Sequence, residues 1–215
     1  MCRDAARMKK GRKPKLPAFL NLGGRGGIRT LDELSTHTYY FNYDHTLFQN
    51  VNVRRALSMA LDRNYIVELV TYAKPATGLI SNGVFNTTRK TDFRKTADKN
   101  GALIASNADL EGAKALLSEA GVRSGSFTIT VRDNEVDIAI ANYAAETWNS
   151  LGFNVKVRAL GATSSYDSDG NIYYVDQYNK AYSEKDYDVI ALDMQMLSVD
   201  AYSNLSVFAT KFSGN

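Results

Sequence analysis

The chain has 215 residues, 44% apolar and 23% charged, which are ordinary values for a globular fold with room for one sizeable domain or two small ones. A single cysteine, Cys2, excludes an intrachain disulfide and a cysteine-based zinc site, and two histidines, His37 and His45, argue against a histidine-rich metal site. The net charge of +3 is unevenly spread: residues 1 to 30 hold nine Lys or Arg and one acid, Asp4, leaving 17 basic and 22 acidic side chains for the rest.

Residues 1–35 form a basic head. The stretch "MKKGRKPKLPAFLNLGGRGG" has no apolar period, and no apolar region of the length of a secretory signal follows its charges. "GGRGG" lacks the lysine and the third glycine of the nucleotide fingerprints. The head is expected to be disordered or foreign to the folded body. A basic arm of this kind can also bind nucleic acid through phosphates, so a small nucleic-acid-binding protein using residues 1–30 stands as the alternative reading.

From residue 36 the pattern becomes regular. "THTYYFNY" (36–43) reads as a strand. In "NVNVRRALSMALDRNYIVELV", Val53, Ala56, Leu57, Ala60, Leu61 and Val67 recur at spacings of three and four, predicting one helix capped by Asn50 or Asn52 and ending near Tyr72. Residues 73–108 read as an irregular connection. "NADLEGAKALLSEAG" (107–121) predicts a helix with Asp109 as cap and Gly121 as its left-handed stop.

A strand at 126–131, a helix at 134–152 and an alternating strand at 153–160 make a βαβ unit with parallel strands. In open sheets of this kind ligands gather at the carboxyl ends of the strands. A turn at 165–174, a short helix near 173–183, a strand at 187–194 and a helix at 200–212 complete the reading. The turn's Asp167, Asp169 and Asn171 have their glycine at the fourth position, not the sixth, and Tyr178 stands where a calcium loop needs Glu. No nucleophile elbow occurs, and Asp186 with Asp188 reads as a solvated edge, so no catalytic residue, metal or cofactor is expected.

"FNYDHTLFQNVNVRRALSMALDRNYIVE" resembles a segment of the extracellular solute-binding proteins of family 5, the oligopeptide and dipeptide receptors of ABC importers. There a strand ending in Phe-Asn leads to "vRrAl..AiDR..iv", in register with Phe41, Asn42, Arg54, Arg55, Ala56, Asp62 and Arg63. "DLEGAKALLSEAG" resembles that family's "DpekAkkLLaeAG", "LGFNVKV" its "lGI.v.i", and "YDVIALDMQMLSVDAYSNL" its "yDv...gw.aDy.Dp..fL". The four blocks keep their order over residues 36–212.

The resemblance implies an α/β periplasmic-binding-protein type II-like lobe, an open mixed sheet flanked by helices, with residues 36–215 corresponding to most of the second lobe. It implies a peptide or similar small solute as ligand, ABC permease subunits as partners, and a place at the extracellular face of the membrane or in the periplasm. It gives Asp62 and Arg63 a structural role at helix ends. Because such receptors are much longer, the fold is expected to be incomplete, the isolated chain to bind weakly, and self-association to be possible. The implied ligand-binding residues are Asn42, Asp193, Met194, Gln195, Leu197 and Ser198. In the family an aspartate of "aDy" pairs with the peptide's amino terminus; Leu197 stands in its place, and Asp193 is the candidate substitute.

Overall fold

The βαβ unit is the centre of the architecture. In this computed structural model, which describes residues 35–70 and 73–206, the elements run β1 (Ser35–Phe41), α1 (Thr46–Gln49), α2 (Val51–Met59), α3 (Arg63–Leu69), α4 (Phe93–Ala97), a 3-10 turn (Asp98–Asn100) and α5 (Leu110–Glu119). They continue as β2 (Gly125–Arg132), α6 (Glu135–Ser150), β3 (Phe153–Leu160), β4 (Ala162–Tyr166), β5 (Ile172–Asp176), α7 (Gln177–Ser183), β6 (Val189–Gln195) and α8 (Ala201–Leu205). The head through residue 34, Tyr72 and the helix expected beyond Ser206 lie outside the described residues.

The main sheet has the order β1-β6-β2-β3. β2 runs parallel to both β3 and β6, and β1 pairs antiparallel to β6, so the sheet is mixed as the resemblance implies. From β2 the chain crosses through α6 to β3 on one side, then returns past β2 to β6 on the other. The carboxyl ends of β2 and β6 therefore flank the point where the winding reverses.

One face of the sheet is closed by α6 and α2. Phe127, Ile129 and Val131 of β2, Val189 and Ala191 of β6, and Ala141, Ala144, Ala145 and Trp148 of α6 share a buried cluster with Val53, Ala56 and Leu57 of α2. The expected α6 stripe holds at Ala141, Ala145 and Trp148, with Ile138 and Leu151 half-buried at its margin. Trp148 packs edge-on to Tyr39 and tilted against Phe127, each with ring centroids 5.7 Å apart. A smaller cluster of Ile80, Val84 and Ala201, with Met196 against it, fixes the 73–108 connection to α8.

The capping expectations hold. Asn50 opens α2, Asp109 accepts from the Gly112 amide at 2.8 Å, and Gly121 adopts φ +69 after α5. Gly152 is required for a second reason: at φ +102, an added Cβ would meet the Arg123 carbonyl oxygen at 2.6 Å.

Three expectations are corrected. The single helix over 52–72 is two helices broken at Ala60–Asp62, because Asp62 turns to extended backbone and caps α3 through the Asn64 and Tyr65 amides. Residues 162–176 form a hairpin, β4 with β5, and the helix expected near 173 begins at Gln177. Asp167 closes that hairpin by accepting from the Asn171 amide at 2.8 Å. Lastly, Asp186 and Asp188 precede β6: Asp186 pairs with Arg158 at 3.0 Å, while the Asp188 carboxylate accepts from the Thr128 amide at 2.8 Å.

Trp148→Ala should cost about 3–5 kcal/mol of folding free energy, and Asp62→Ala, which removes only a cap, about 1 kcal/mol. Urea titrations of the two variants measure both. A Trp148→Ala loss under about 1 kcal/mol would mean that the indole is not the centre of the core.

Candidate functional site at the carboxyl ends of the strands

The winding reversal between β2 and β6 opens a crevice, and polar side chains line it from four elements. His37 comes from β1, Arg132 from the end of β2, Asp137 from the first turn of α6, and Asp193 and Gln195 from the end of β6. Together with Tyr178 of α7 they bound a pocket of about 180 Å³. A larger cavity of about 780 Å³ adjoins it, sharing His37, Asp137 and Asp193. Its walls are β1, the α2–α3 corner, the start of α6 and residues 73–82.

Local rules place each group. His37 and Asp193 are cross-strand partners in the β1–β6 ladder, so their side chains leave the same sheet face and meet, Nδ1 to Oδ1 at 2.8 Å. The His37 hydrogen bond, opposed by partial burial and aided by the His37 and Arg132 charges, holds the Asp193 carboxyl below the usual carboxylate range. Asn134 caps α6 by accepting from the Asp137 amide at 2.9 Å, and its side-chain amide donates to the Asp137 carboxylate at 2.8 Å. Arg132 lies 4.1 Å over the Tyr178 ring and donates to Asn179 at 3.0 Å. Burial pushes the Tyr178 phenol up to about 12, so it stays protonated and donates to the Ala191 carbonyl.

The residues singled out from the sequence divide into two groups. Asp193 and Gln195 line the crevice, and Met194 is half-buried between them in β6. Leu197 is 92% exposed just beyond the strand. Ser198 is occupied in a turn, its hydroxyl accepting from the Asp200 amide at 3.2 Å and its carbonyl from the Asn204 side chain at 2.6 Å.

Asn42 sits elsewhere. Because β1 is antiparallel to β6, the Phe41 end of β1 lies beside Val189, at the amino end of β6. Asn42 pairs there with Asp188, about 17 Å along the strand from Asp193. Its side chain donates to the Tyr187 carbonyl at 2.9 Å and caps the turn at Asp44 at 3.0 Å. The expectation that the Asn42 end and the Asp193 loop face one cleft is corrected by strand direction alone.

His37, Arg132 and Asp137 are crevice residues that sequence reasoning missed. Asp137 had a usable signal, since the first turn of the crossover helix always opens at the carboxyl end of the preceding strand. His37 had none, because its position depends on the pairing partner of β1. The charges of the "LDRN" corner are structural, as the resemblance implied: Arg63 donates to the Ser58, Leu61 and Ala105 carbonyls, each at 3.2 Å.

A group whose carboxyl is lowered on folding stabilises the fold above the usual carboxylate range and loses that contribution as pH falls through its folded value. The advantage of wild type over Asp193→Asn in thermal midpoint should therefore be fully present above the usual carboxylate range and shrink as pH falls below it. Because Asp193 is more than half exposed, the effect is modest. Parallel melting curves that never converge would remove the His37–Asp193 pair as its source.

A profile described as "Bacterial extracellular solute-binding proteins, family 5 Middle" matches residues 7–215, a range that takes in most of the basic head. The dipeptide-binding protein DppE of Bacillus subtilis is 33% identical over 153 residues, covering 66% of this chain and 27% of that protein. The structure of Listeria monocytogenes OppA bound to peptide superposes with a TM-score of 0.65 at 22% identity, over 85% of this chain and 35% of that one. The substrate-binding domain of the Bacillus anthracis oligopeptide ABC transporter gives 0.65 at 18% identity, over 84% of this chain and 34% of that one. The chain thus spans about a quarter to a third of the length of these relatives, and the fold is that of the type II periplasmic binding proteins. It belongs to the bacterial extracellular solute-binding proteins of family 5.

Proposed function

We propose that this chain forms part of a peptide receptor that captures peptides, or a similar small solute, outside the cell or in the periplasm and passes them to an ABC permease. It works by binding and release, performs no chemistry and needs no cofactor. The observation that carries the reading is the polar crevice at the winding reversal between β2 and β6, in a chain of a solute-binding family. Relatives described as binding a dipeptide or bound to a peptide support the ligand class.

The ligand contacts we assign are Asp193, Gln195 and Met194 at the end of β6, with Leu197 in the loop beyond. Asn42 and Ser198 act through the turns they tie. Leu197 offers no charge to a peptide's amino terminus, so the carboxylates that remain for a cation are Asp193 and Asp137.

Titrating the chain with short peptides should give saturable amide shifts at His37, Asp137, Asp193 and Gln195, with the Asn42 end unmoved. Shifts confined to the Asn42–Asp44 turn would overturn the placement, and no saturable shift at millimolar peptide would overturn the function.

A further inference from the structure

The larger cavity contains polar atoms for which the fold supplies no partner. On β1, His37 and Tyr39 project from the same face, two residues apart, with their rings edge-on at 5.7 Å. Both line the cavity of about 780 Å³. The Nε2 of His37 and the hydroxyl of Tyr39 are each buried and find no hydrogen-bond partner among the described residues. A buried polar atom left this way costs free energy, so it implies a group that completes it.

The donor and acceptor inventory defines that group. Asp193 accepts at 2.8 Å from Nδ1 of His37, so the neutral form of the ring, in the tautomer this bond selects, offers Nε2 as an acceptor. The Tyr39 phenol is held up by burial and, secondarily, by the charge of Asp137, so its oxygen lies within the field of that carboxylate. The Asp137 and Asp193 carboxylates line the same cavity end. The set is therefore rich in acceptors and negative. Val136, Ile140, Trp148, Leu61 and Ile66 supply apolar walls. The nearby cations are otherwise disposed: Arg63 is committed to the carbonyls of the α2–α3 corner, Arg94 to Asp98 and the Thr77 carbonyl, Lys74 is exposed, and Arg132, in the adjoining pocket, lies over Tyr178 and donates to Asn179 while its charge also acts on Asp193.

We propose that the His37, Tyr39, Asp137 and Asp193 end of this cavity is a subsite for a primary ammonium on an aliphatic chain, taking the lysine side chain of a bound peptide. The ammonium donates three hydrogens, which Nε2 of His37, the Tyr39 oxygen and a carboxylate accept, and the methylenes lie along the apolar wall. The volume is within the range of small-molecule sites and accommodates more than the side chain alone. The inference rests on the peptide reading for its source of lysine, whereas the recognition of the ammonium stands on the cavity itself.

The test is calorimetry on the full 215-residue chain with four probes. They are a blocked tripeptide carrying lysine, the same peptide with norleucine, the same with glutamate, and Nα-acetyl-lysine methylamide. Lysine should bind about tenfold or more tighter than norleucine, with glutamate weakest. Tyr39→Phe and Asp137→Asn should each erase most of that preference, with unfolding midpoints in urea verifying that both variants fold.

Equal affinity for lysine and norleucine would overturn the subsite while leaving the peptide reading intact. Binding of the methylamide without any peptide would support the subsite and overturn the peptide reading. A preference for glutamate would assign the cavity to an anion and sink the proposal. With a fifth probe, the norleucine peptide carrying a free amino terminus, a gain that the blocked lysine peptide does not show would assign the ammonium to that terminus and overturn the lysine assignment. Silence from all four probes would overturn both readings.

Discussion

The carboxyl end of α2 is the joint on which the rest of the structure depends. A helix end leaves its last four carbonyls short of partners inside the helix, and three of the four here are closed by other elements of the chain. The Ala56 carbonyl accepts from the Ala60 amide at 3.0 Å, and that of Leu57 from the Trp148 indole at 2.9 Å. The Ser58 carbonyl accepts from Arg63 at 3.2 Å and that of Met59 from the Asp109 amide at 2.8 Å. The last three bonds each fix another element: α6 through Trp148, α3 through Arg63, α5 through Asp109. The same indole packs on Tyr39 of β1 and Phe127 of β2, so one buried side chain sets the height of α6 above the sheet.

From that joint the crevice follows. With α6 seated by Trp148 at its carboxyl end, its first turn falls over the ends of β2 and β6, and Asp137 faces the His37–Asp193 pair. The corner that breaks α2 from α3 supplies one wall of the larger cavity and holds Arg63 away from its acidic end by giving the guanidinium three carbonyls. The Tyr143 hydroxyl, accepting from the Asp62 amide at 2.9 Å, ties this corner back to α6. A cavity bounded by elements tied to one another in this way is pre-formed, which lowers the cost of ordering it around a ligand.

The electrostatic character of the crevice comes from pairings made elsewhere. Arg132 is drawn towards Asn179 and Asp176 and lies over Tyr178, which places its charge on the α7 side. Arg158 is spent on Asp186. At the end of the larger cavity this leaves two carboxylates, a histidine hydrogen-bonded to one of them, and a phenol, with Arg132 on the far side of Asp193 as the nearby opposing charge.

The sequence by itself determined the local units. The 3.6-residue stripe of 134–152, the alternation of 153–160, the caps at Asn50 and Asp109 and the stop at Gly121 are properties of a few neighbouring residues, and the motif order carried the family. Asp62 was readable as a helix-end residue, but its turn to extended backbone was not, because the apolar period runs unbroken through Ala60 and Leu61. The β4–β5 hairpin was hidden for a similar reason: "ATSSY" and "IYYVD" are exposed strands with no buried face to leave an alternating pattern. Only the tertiary structure decided the site. Asn42 and Asp193 belong to neighbouring strands and equally polar motifs, yet antiparallel pairing sends them to opposite ends of the sheet. His37, unremarkable in sequence, reaches the crevice because Asp193 is its partner across the ladder. Strand direction and register are non-local choices, set by which face of β1 must meet Trp148, and no window of sequence contains both sides of that contact.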